Sequence, residues 1–358
     1  MILPRASGDA APIRVGVVGT GRIAEVHLSA LSRNPLADLA SVCDRDNYLA
    51  DRAARNYATV AEYDFASMLE RRNLDAVHIL TPAETHTDIV EMALAAGIGL
   101  VIVEKPAAPS LEAARRMVAF AEQCSALVTE DHNYRFNTPV ERLLAVARSG
   151  ALGKIGTVEV RIAIDLPATR YNHDFEARRI ARNPGGVLRE FLPHFCYLAK
   201  AFVPDVEIRQ ASFSKSDPDT VLSPDGMLVT LGAPGRDYAG HLQFTSRQYP
   251  ITTTITVRGE RGWAEADLQY PSIRVTRDRG IGAQLSPLAN QWIGGAALMR
   301  ASVSGFAAKL RGSPIYEGIP RFIDRTYRQY RSGGVLPVTH ADLLKTAALI
   351  DDVLEKAT

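Results

Sequence analysis

Two patterns of hydrophobic and polar positions divide the chain. From Ile13 to about Val128, short apolar runs such as VGVV and LVIV alternate with stretches in which apolar residues recur at helical spacing. Continuous apolar runs are typical of strands buried on both faces, so this part predicts an α/β fold with a doubly wound parallel sheet. Helices are expected over 23–34, 87–96 and 111–124. The strand ends then share one edge, where such folds bind ligands.

Beyond His132 the pattern changes. A helix predicted over 138–149 is followed by runs in which apolar and polar residues alternate, with Asp, Pro and Gly in the connections. These runs predict a second, α+β domain with a mostly antiparallel, open-faced sheet. Amphipathic helices over 320–331 and 340–356 are expected to pack back on the body, the last of them on the first domain. The predicted organisation is a flexible lead-in over 1–12, a first domain over 13–132 and a second over 133–358.

Composition and charge narrow the class of ligand. The 358 residues are 46% hydrophobic and 23% charged, which is ordinary for a globular protein of two domains. Lys and Arg number 41 against 40 Asp and Glu, so no basic field favours nucleic acid or a membrane surface. The three cysteines (Cys43, Cys124 and Cys196) are far apart, which favours reduced thiols, no metal site and a cytoplasmic location. The expected partner is a small molecule.

A glycine pattern follows the first predicted strand. In VGVVGTGRIA, Gly19 allows a sharp turn from strand to helix, Gly21 lets the backbone approach a pyrophosphate, and Ala24 permits close helix packing. Arg22 and Ile23, at the start of the helix, are expected in the same site. A dinucleotide is the predicted ligand, and a glycine-rich turn without any ligand is the alternative.

The second predicted strand ends in a carboxylate. Asp44 lies where an acidic side chain binds the adenosine ribose hydroxyls of a dinucleotide, and a helix cap or turn is its alternative role. A carboxylate there repels a 2′-phosphate, which favours NAD. Arg45 follows directly and could pair with that phosphate, so NADP stays open.

A lysine follows the apolar strand LVIV at the same sheet edge. We expect the Lys105 ammonium near the nicotinamide end of the cofactor, with Thr81 and Glu104 beside it. A partly desolvated lysine has a lowered pKa and can hold a substrate hydroxyl or relay its proton. A solvated strand-end lysine is the alternative.

A carboxylate and an imidazole stand four residues apart in GGVLREFLPH. On a helix, Glu190 and His194 share one face, where the carboxylate can orient the imidazole. The alternative is a pair that only stabilises the helix.

Together these segments resemble the Gfo/Idh/MocA family of pyridine-nucleotide-dependent sugar and cyclitol oxidoreductases. The likeness covers nearly the whole chain, through GTGRIA, ILTPAETHTDIVEMALAAGIGLVIVEKP, DHNYRFNTPV and GGVLREFLPH. It implies a catalytic set of Lys105, Glu190 and His194. Two positions depart from the family pattern: Glu190 is one methylene longer than the usual Asp, and Ala83 replaces the Asn of a TPN-like motif. These departures leave the shape of the substrate open.

The resemblance also implies further binding residues. Pro82 and His86 belong to the cofactor side, although His86 could equally serve packing at the start of its helix. Tyr134 and Arg135 are expected to line the substrate cleft, with an aromatic–arginine surface stack as the alternative.

The function expected is hydride transfer between the nicotinamide of NAD, or NADP, and a secondary alcohol or ketone of a sugar, cyclitol or sugar derivative. An NADPH-dependent nucleotide-sugar ketoreductase is one alternative, for which the arginines within 170–182 could meet a diphosphate. A non-catalytic dinucleotide-sensing protein is another. A homodimer or homotetramer is expected through the second sheet, where the alternation of 251–257 predicts a semi-apolar exposed face.

Overall fold

The computed structural model describes residues 11–165, 187–215, 224–310 and 317–357. They form two compact units. The first contains residues 11–133 and 317–348, and the second contains the described parts of 134–310 together with 349–357. Within these described ranges, no helix combines the length and apolar character needed to cross a membrane.

The first unit is built on a six-stranded parallel sheet in the spatial order β3-β2-β1-β4-β5-β6. Every residue of β4 and β5 is buried, as their continuous apolar runs predict. The strands are β1 (Ile13–Val18), β2 (Ala37–Cys43), β3 (Val60–Glu62), β4 (Ala76–Ile79), β5 (Leu100–Val103) and β6 (Leu127–Glu130). The connecting helices are α1 (Ala24–Arg33), α2 (Asn47–Tyr57), α3 (Phe65–Arg71), α4 (His86–Ala95) and α5 (Leu111–Gln123).

Two helices from the far end of the chain complete this unit. The first of them, which we label α9 (Gly318–Ser332), packs on α1. The hydroxyl of its Tyr327 lies 2.7 Å from His78 Nε2 of β4. The Thr129 hydroxyl of β6 donates to the Val338 carbonyl at 2.8 Å. The final helix, α10 (His340–Lys356), contributes residues 340–348 here and 349–356 to the second unit.

The second unit contains a seven-stranded sheet in the order β13-β12-β11-β7-β10-β9-β8. Strands β7 and β10 pair in parallel and the other neighbours are antiparallel, which confirms the predicted fold class. The strands are β7 (Ile155–Asp165), β8 (Glu207–Ser214), β9 (Gly226–Ala233), β10 (Arg236–Thr245), β11 (Arg247–Gly259), β12 (Gly262–Asp267) and β13 (Ser272–Arg277). Its helices are α6 (Thr138–Arg148), α7 (Leu188–Phe202) and α8 (Leu285–Leu310).

Strand β11 differs from the semi-apolar exposed strand that its sequence predicts. Ile255 and Val257 are fully buried in the core of the second unit. On the alternate face Thr254 is half-buried, and Thr256 is buried with its hydroxyl donating to Glu265 at 3.0 Å. The Thr256 side chain is covered because β11 pairs with β12, whose Glu265 lies directly opposite it.

Helix α8 is absent from the predicted elements. Its 26 residues include three glycines that interrupt a helical pattern. The helix exposes large apolar side chains, among them Trp292 at 81% and Phe306 at 68%.

Candidate active site

The carboxyl ends of the parallel strands bring most of the predicted cofactor residues to one edge. The sheet register pairs Val18 with both Cys43 and Ile79, and pairs Ile79 with Val103. The residues that follow these strand ends therefore lie side by side. They are Gly19, Asp44, Thr81 and Glu104.

Gly19 is required where β1 turns into the loop before α1. Its φ is +87°, in the left-handed region, and its N–H donates to the Cys43 carbonyl at 2.8 Å. A Cβ at Gly19 would lie 2.8 Å from the Leu80 carbonyl carbon and 2.9 Å from the Thr81 nitrogen. The ends of β1 and β4 can approach this closely only because the residue has no side chain.

The end of this loop that leads into α1 has the features of a binding site for an anion. Gly21 is exposed, and a Cβ built on it meets nothing within 4 Å. Arg22 is exposed and Ile23, half-buried, precedes α1 without a capping side chain. The first turn of a helix presents N–H groups without intrahelical partners, which makes it a binding site for phosphate. An open glycine at such a terminus fits the pyrophosphate of a dinucleotide.

Asp44 holds the glycine loop in place. Its Oδ2 accepts from the Thr20 N–H at 2.8 Å and from the Thr20 hydroxyl at 3.0 Å, and its Oδ1 accepts from the Asp46 N–H at 3.0 Å. A carboxylate has about four acceptor positions, so these bonds leave capacity for about one ribose hydroxyl. Arg45 is exposed beside it. The helix cap is Asp46, which accepts from the first N–H groups of α2.

Replacing Asp44 by serine is expected to raise the KM for NAD about tenfold or more, since a hydrogen bond to a charged group contributes about 1.5–3 kcal/mol. The ratio of kcat/KM with NAD to kcat/KM with NADP should also decrease, because the variant lacks the charge that repels a 2′-phosphate. The measurement is kcat/KM with each cofactor. Thr20→Val is the matched control: it removes the hydroxyl bond but keeps the carboxylate, so the preference should stay. Unchanged preference in Asp44→Ser would contradict this role.

The segment after β5 is fixed by buried side chains. The imidazole of His86 reaches across to it: Nε2 lies 2.7 Å from the Thr81 carbonyl, and Nδ1 lies 3.0 Å from the Pro106 carbonyl and 3.3 Å from that of Ala107. The ring therefore joins the loop after β4 to the segment that carries Lys105. Thr81 and Pro82 are in turn held by Thr85, whose hydroxyl contacts both.

Two buried carboxylates also anchor this segment, through hydrogen bonds to its backbone N–H groups. Glu104 Oε2 accepts the Lys105 N–H, and Glu130 Oε1 accepts the Ala107 N–H at 3.0 Å. Glu130 Oε2 lies 2.8 Å from His132 Nε2. The backbone on both sides of the cis Lys105–Pro106 bond is thus anchored, and the Lys105 side chain is half-buried.

The stability of the first unit is expected to depend on pH through His86. Burial lowers the pKa of His86 below its usual 6.5, against a smaller upward effect of the three carbonyls. The unfolded chain therefore binds the proton more readily than the folded chain. The contribution of neutral His86 to the free energy of unfolding is complete above about pH 6.5, and below that pH it decreases by up to about 1.4 kcal/mol per pH unit. Urea unfolding of wild type and His86→Gln at neutral and acidic pH measures this. The variant should lose less stability on acidification, and parallel losses would contradict the assignment.

The predicted residues of the second unit gather around helix α7. His194 is buried and its ring stacks on Tyr134, with centroids 4.2 Å apart and planes 13° apart. His194 Nδ1 lies 2.6 Å from the Tyr197 hydroxyl, which also accepts the Tyr134 N–H at 3.1 Å. Glu190 is half-buried one turn earlier on the helix. The Arg135 guanidinium lies 6.0 Å from the Phe136 ring centroid.

Three contributors to this geometry are missing from the sequence prediction: Thr20, Glu130 and Tyr197. Tyr197 is the one that its spacing could have revealed, because it stands three residues after His194 on the same helical face. Of the predicted catalytic residues, Lys105 belongs to the first unit, whereas Glu190 and His194 belong to the second. The arginines within 170–182 and the glycine pair 185–186 lie outside the described residues.

Comparison with known proteins identifies the first unit. Residues 13–132 match the model of the Gfo/Idh/MocA oxidoreductase family, described as an NAD-binding Rossmann fold. These residues contain the glycine loop, Asp44 and Lys105. The match confirms the prediction of a dinucleotide as the ligand.

Relatives extend the likeness along the chain. A D-apiose dehydrogenase of Paraburkholderia graminis is 26% identical over 94% of this chain and 85% of its own length. A dTDP-3,4-didehydro-2,6-dideoxy-α-D-glucose 3-reductase of Streptomyces violaceoruber is 26% identical over 84% of this chain and 85% of its own. The WlbA dehydrogenase of Bordetella pertussis, solved with NADH and UDP-GlcNAcA, has the same fold, with a TM-score of 0.76 at 20% identity over 97% of this chain and 96% of its own. The chain is an NAD(P)-dependent oxidoreductase, and its residues 13–132 belong to the Gfo/Idh/MocA family.

Proposed function

We propose that this enzyme transfers a hydride between nicotinamide and a secondary alcohol or ketone of a sugar, a cyclitol or a sugar derivative. The observation that carries the proposal is the anchoring of the Lys105 segment by Glu104, Glu130 and His86, on the edge that also carries Gly19. A bound NAD(P) supplies the acceptor or donor of the hydride. The backbone that carries the Lys105 side chain is anchored at this edge.

Lys105 is proposed to place its ammonium at the substrate oxygen. When an alcohol is oxidised or a ketone reduced, negative charge develops on that oxygen, and a fixed cation there stabilises the transition state. Because the backbone is anchored on both sides of Lys105, little reorganisation is needed as this charge develops.

His194 is proposed to take the proton of the substrate hydroxyl at Nε2, and to return it in the reverse direction. When Nδ1–H donates to the Tyr197 hydroxyl oxygen, which also accepts the Tyr134 N–H, the neutral ring carries its lone pair on Nε2. Tyr197 and the stacked Tyr134 then fix the ring. Glu190 is proposed to orient His194 or to bind a neighbouring hydroxyl, and Arg135 to bind the substrate.

A nucleotide-sugar ketoreductase is a second candidate. One relative is named as a reductase of a dTDP-sugar, and the related fold of WlbA was solved with UDP-GlcNAcA. Both ligands carry a diphosphate, which arginine side chains recognise well. Neutralising Arg178 and Arg179 should reduce turnover of such a substrate and leave that of a free sugar unchanged.

The proposal is tested by incubating the enzyme with NAD or NADP and a panel of free sugars, cyclitols and nucleotide sugars, while the absorbance of the reduced nicotinamide is followed. Turnover of a polyhydroxylated alcohol or ketone is expected. Tight binding of cofactor without turnover of any panel member would overturn the proposal in favour of a dinucleotide sensor.

Self-association belongs to the same proposal. We expect a homodimer or homotetramer, formed through the sheet of the second unit, in the cytoplasm. Light scattering at micromolar concentration measures the mass directly, and a monomer would contradict this part.

A further inference from the structure

Three ionisable side chains meet in the interior of the first unit. His27 projects from α1, and Glu104 and Asp131 follow the ends of β5 and β6. His27 and Asp131 are fully buried, and Glu104 is 6% exposed. One nitrogen or oxygen atom from each lies within 4.8 Å of the other two. Two carboxylates and an imidazole thus share a site from which water is excluded.

The polar atoms of this cluster are poorly satisfied by the described residues. Both carboxylate oxygens of Asp131, together with His27 Nε2, make no hydrogen bond there. His27 Nε2 lies 3.4 Å from Asp131 Oδ2, whereas an N–H···O hydrogen bond is about 2.7–3.2 Å long. Buried carboxylates are costly unless a partner offsets their desolvation. Asp131 therefore needs a compensating positive species.

The next layer of residues sets the tautomer of His27. His27 Nδ1 lies 3.0 Å from His78 Nδ1, and His78 Nε2 lies 2.7 Å from the Tyr327 hydroxyl. His78 and Tyr327 are both fully buried, so water does not compete for these hydrogen bonds. If His27 Nδ1–H donates to His78 and His78 Nε2–H donates to Tyr327, the lone pair of His27 Nε2 faces the two carboxylates. Three acceptors then face one another.

A divalent cation satisfies all these atoms. Zinc binds imidazole nitrogen and carboxylate oxygen at about 2.0–2.1 Å, which in a tetrahedral site separates neighbouring ligand atoms by about 3.3 Å. The distance of 3.4 Å between His27 Nε2 and Asp131 Oδ2 is close to this value. Two carboxylates balance the charge of the ion, and a ligating histidine ordinarily donates its other N–H to a neighbouring group, here His78.

We propose that His27, Glu104 and Asp131 bind a divalent transition-metal ion, with zinc as the fitting example. Asp131 binds through Oδ2, so that the three side chains supply one nitrogen and two oxygens. The role is structural: the ion fixes Glu104, whose carboxylate accepts the Lys105 N–H. The site goes beyond the proposed hydride transfer, and its test needs neither substrate nor cofactor.

The competing arrangement reverses the two hydrogen bonds. Tyr327 then donates to His78, His78 donates to His27, and a proton on His27 Nε2 faces Asp131. No metal is needed in that case. Metal content distinguishes the two arrangements.

The full chain is unfolded with a chelator, refolded with or without zinc, desalted and analysed by inductively coupled plasma mass spectrometry. Wild type should retain about one zinc ion per chain, since a preformed site binds metal together with folding. Asp131→Asn and His27→Gln should each retain at least about tenfold less. The matched control is His86→Gln, a buried histidine of the same unit that contacts carbonyls, and it should retain zinc like wild type.

A second measurement keeps the test valid if a variant folds poorly. Wild type refolded with zinc should melt several degrees higher than wild type refolded with chelator, because the ion binds only the folded chain. Wild-type protein that retains no zinc and melts at the same temperature in both preparations would overturn the metal site and establish the proton-sharing arrangement.

Discussion

Methionine in place of Lys105 is expected to lower kcat by about 10²–10³-fold, the usual loss when one group that stabilises a developing oxyanion is removed. Methionine keeps most of the length of lysine but has no charge. The anchoring bonds run from the main-chain N–H groups of Lys105 and Ala107 to the side chains of Glu104 and Glu130, so the substitution leaves them intact. The loss should therefore fall on kcat, with little change in cofactor affinity.

Steady-state kinetics with the best substrate of the panel, together with titration calorimetry of NAD, separates these effects. Lys154→Met is a matched control, because Lys154 is exposed in the second unit. It should retain wild-type kcat. Equal turnover by Lys105→Met and wild type would remove Lys105 from the catalytic set.

Alanine at Gly19 is expected to destabilise the protein and to abolish dinucleotide binding. A non-glycine residue held in an unfavourable backbone region costs about 1–3 kcal/mol, and here the new Cβ also lies 2.8 Å from the Leu80 backbone. Relief of this contact must separate β1 from β4. The loop that binds the pyrophosphate moves with them, so both the free energy of unfolding and the affinity for NAD should fall.

Alanine at Gly21 separates the two effects. The space around Gly21 is open, so the free energy of unfolding should stay within about 0.5 kcal/mol of wild type, as for ordinary surface substitutions. The methyl group nevertheless lies where the backbone is expected to approach the pyrophosphate, so the affinity for NAD should fall. Urea unfolding and calorimetry on both variants measure these quantities. A Gly19→Ala protein as stable as wild type, or a Gly21→Ala protein that binds NAD normally, would contradict this account.

The sequence predicted those features that depend on short-range patterns. Continuous apolar runs identified the buried parallel strands, and the glycine spacing identified the loop between β1 and α1. The position of Asp44 followed from the length of one strand–helix–strand unit. These features are local, because each is set by residues close together in the chain.

Long-range contacts were not predictable in this way. The stacking of Tyr134 on His194 joins residues 60 positions apart in sequence, and nothing at either position indicates the other. Likewise, the bond between Thr20 and Asp44 arises because two parallel strand ends lie side by side. Helix α8 was missed for a different reason, since its apolar residues point to the surface and its glycines weaken the helical pattern.

The route of the chain through the first unit has a consequence for biosynthesis. His78 contacts Tyr327, which lies 249 positions further along the chain, and Thr129 contacts Val338, which lies 209 positions further along. A ribosome releases the six parallel strands first, but α9 and the first part of α10 emerge only after the strands of the second unit. During that interval the side of the sheet that α9 later covers is exposed to solvent and to chaperones. The part of the protein that is synthesised first therefore remains incomplete until the strands of the second unit have been made.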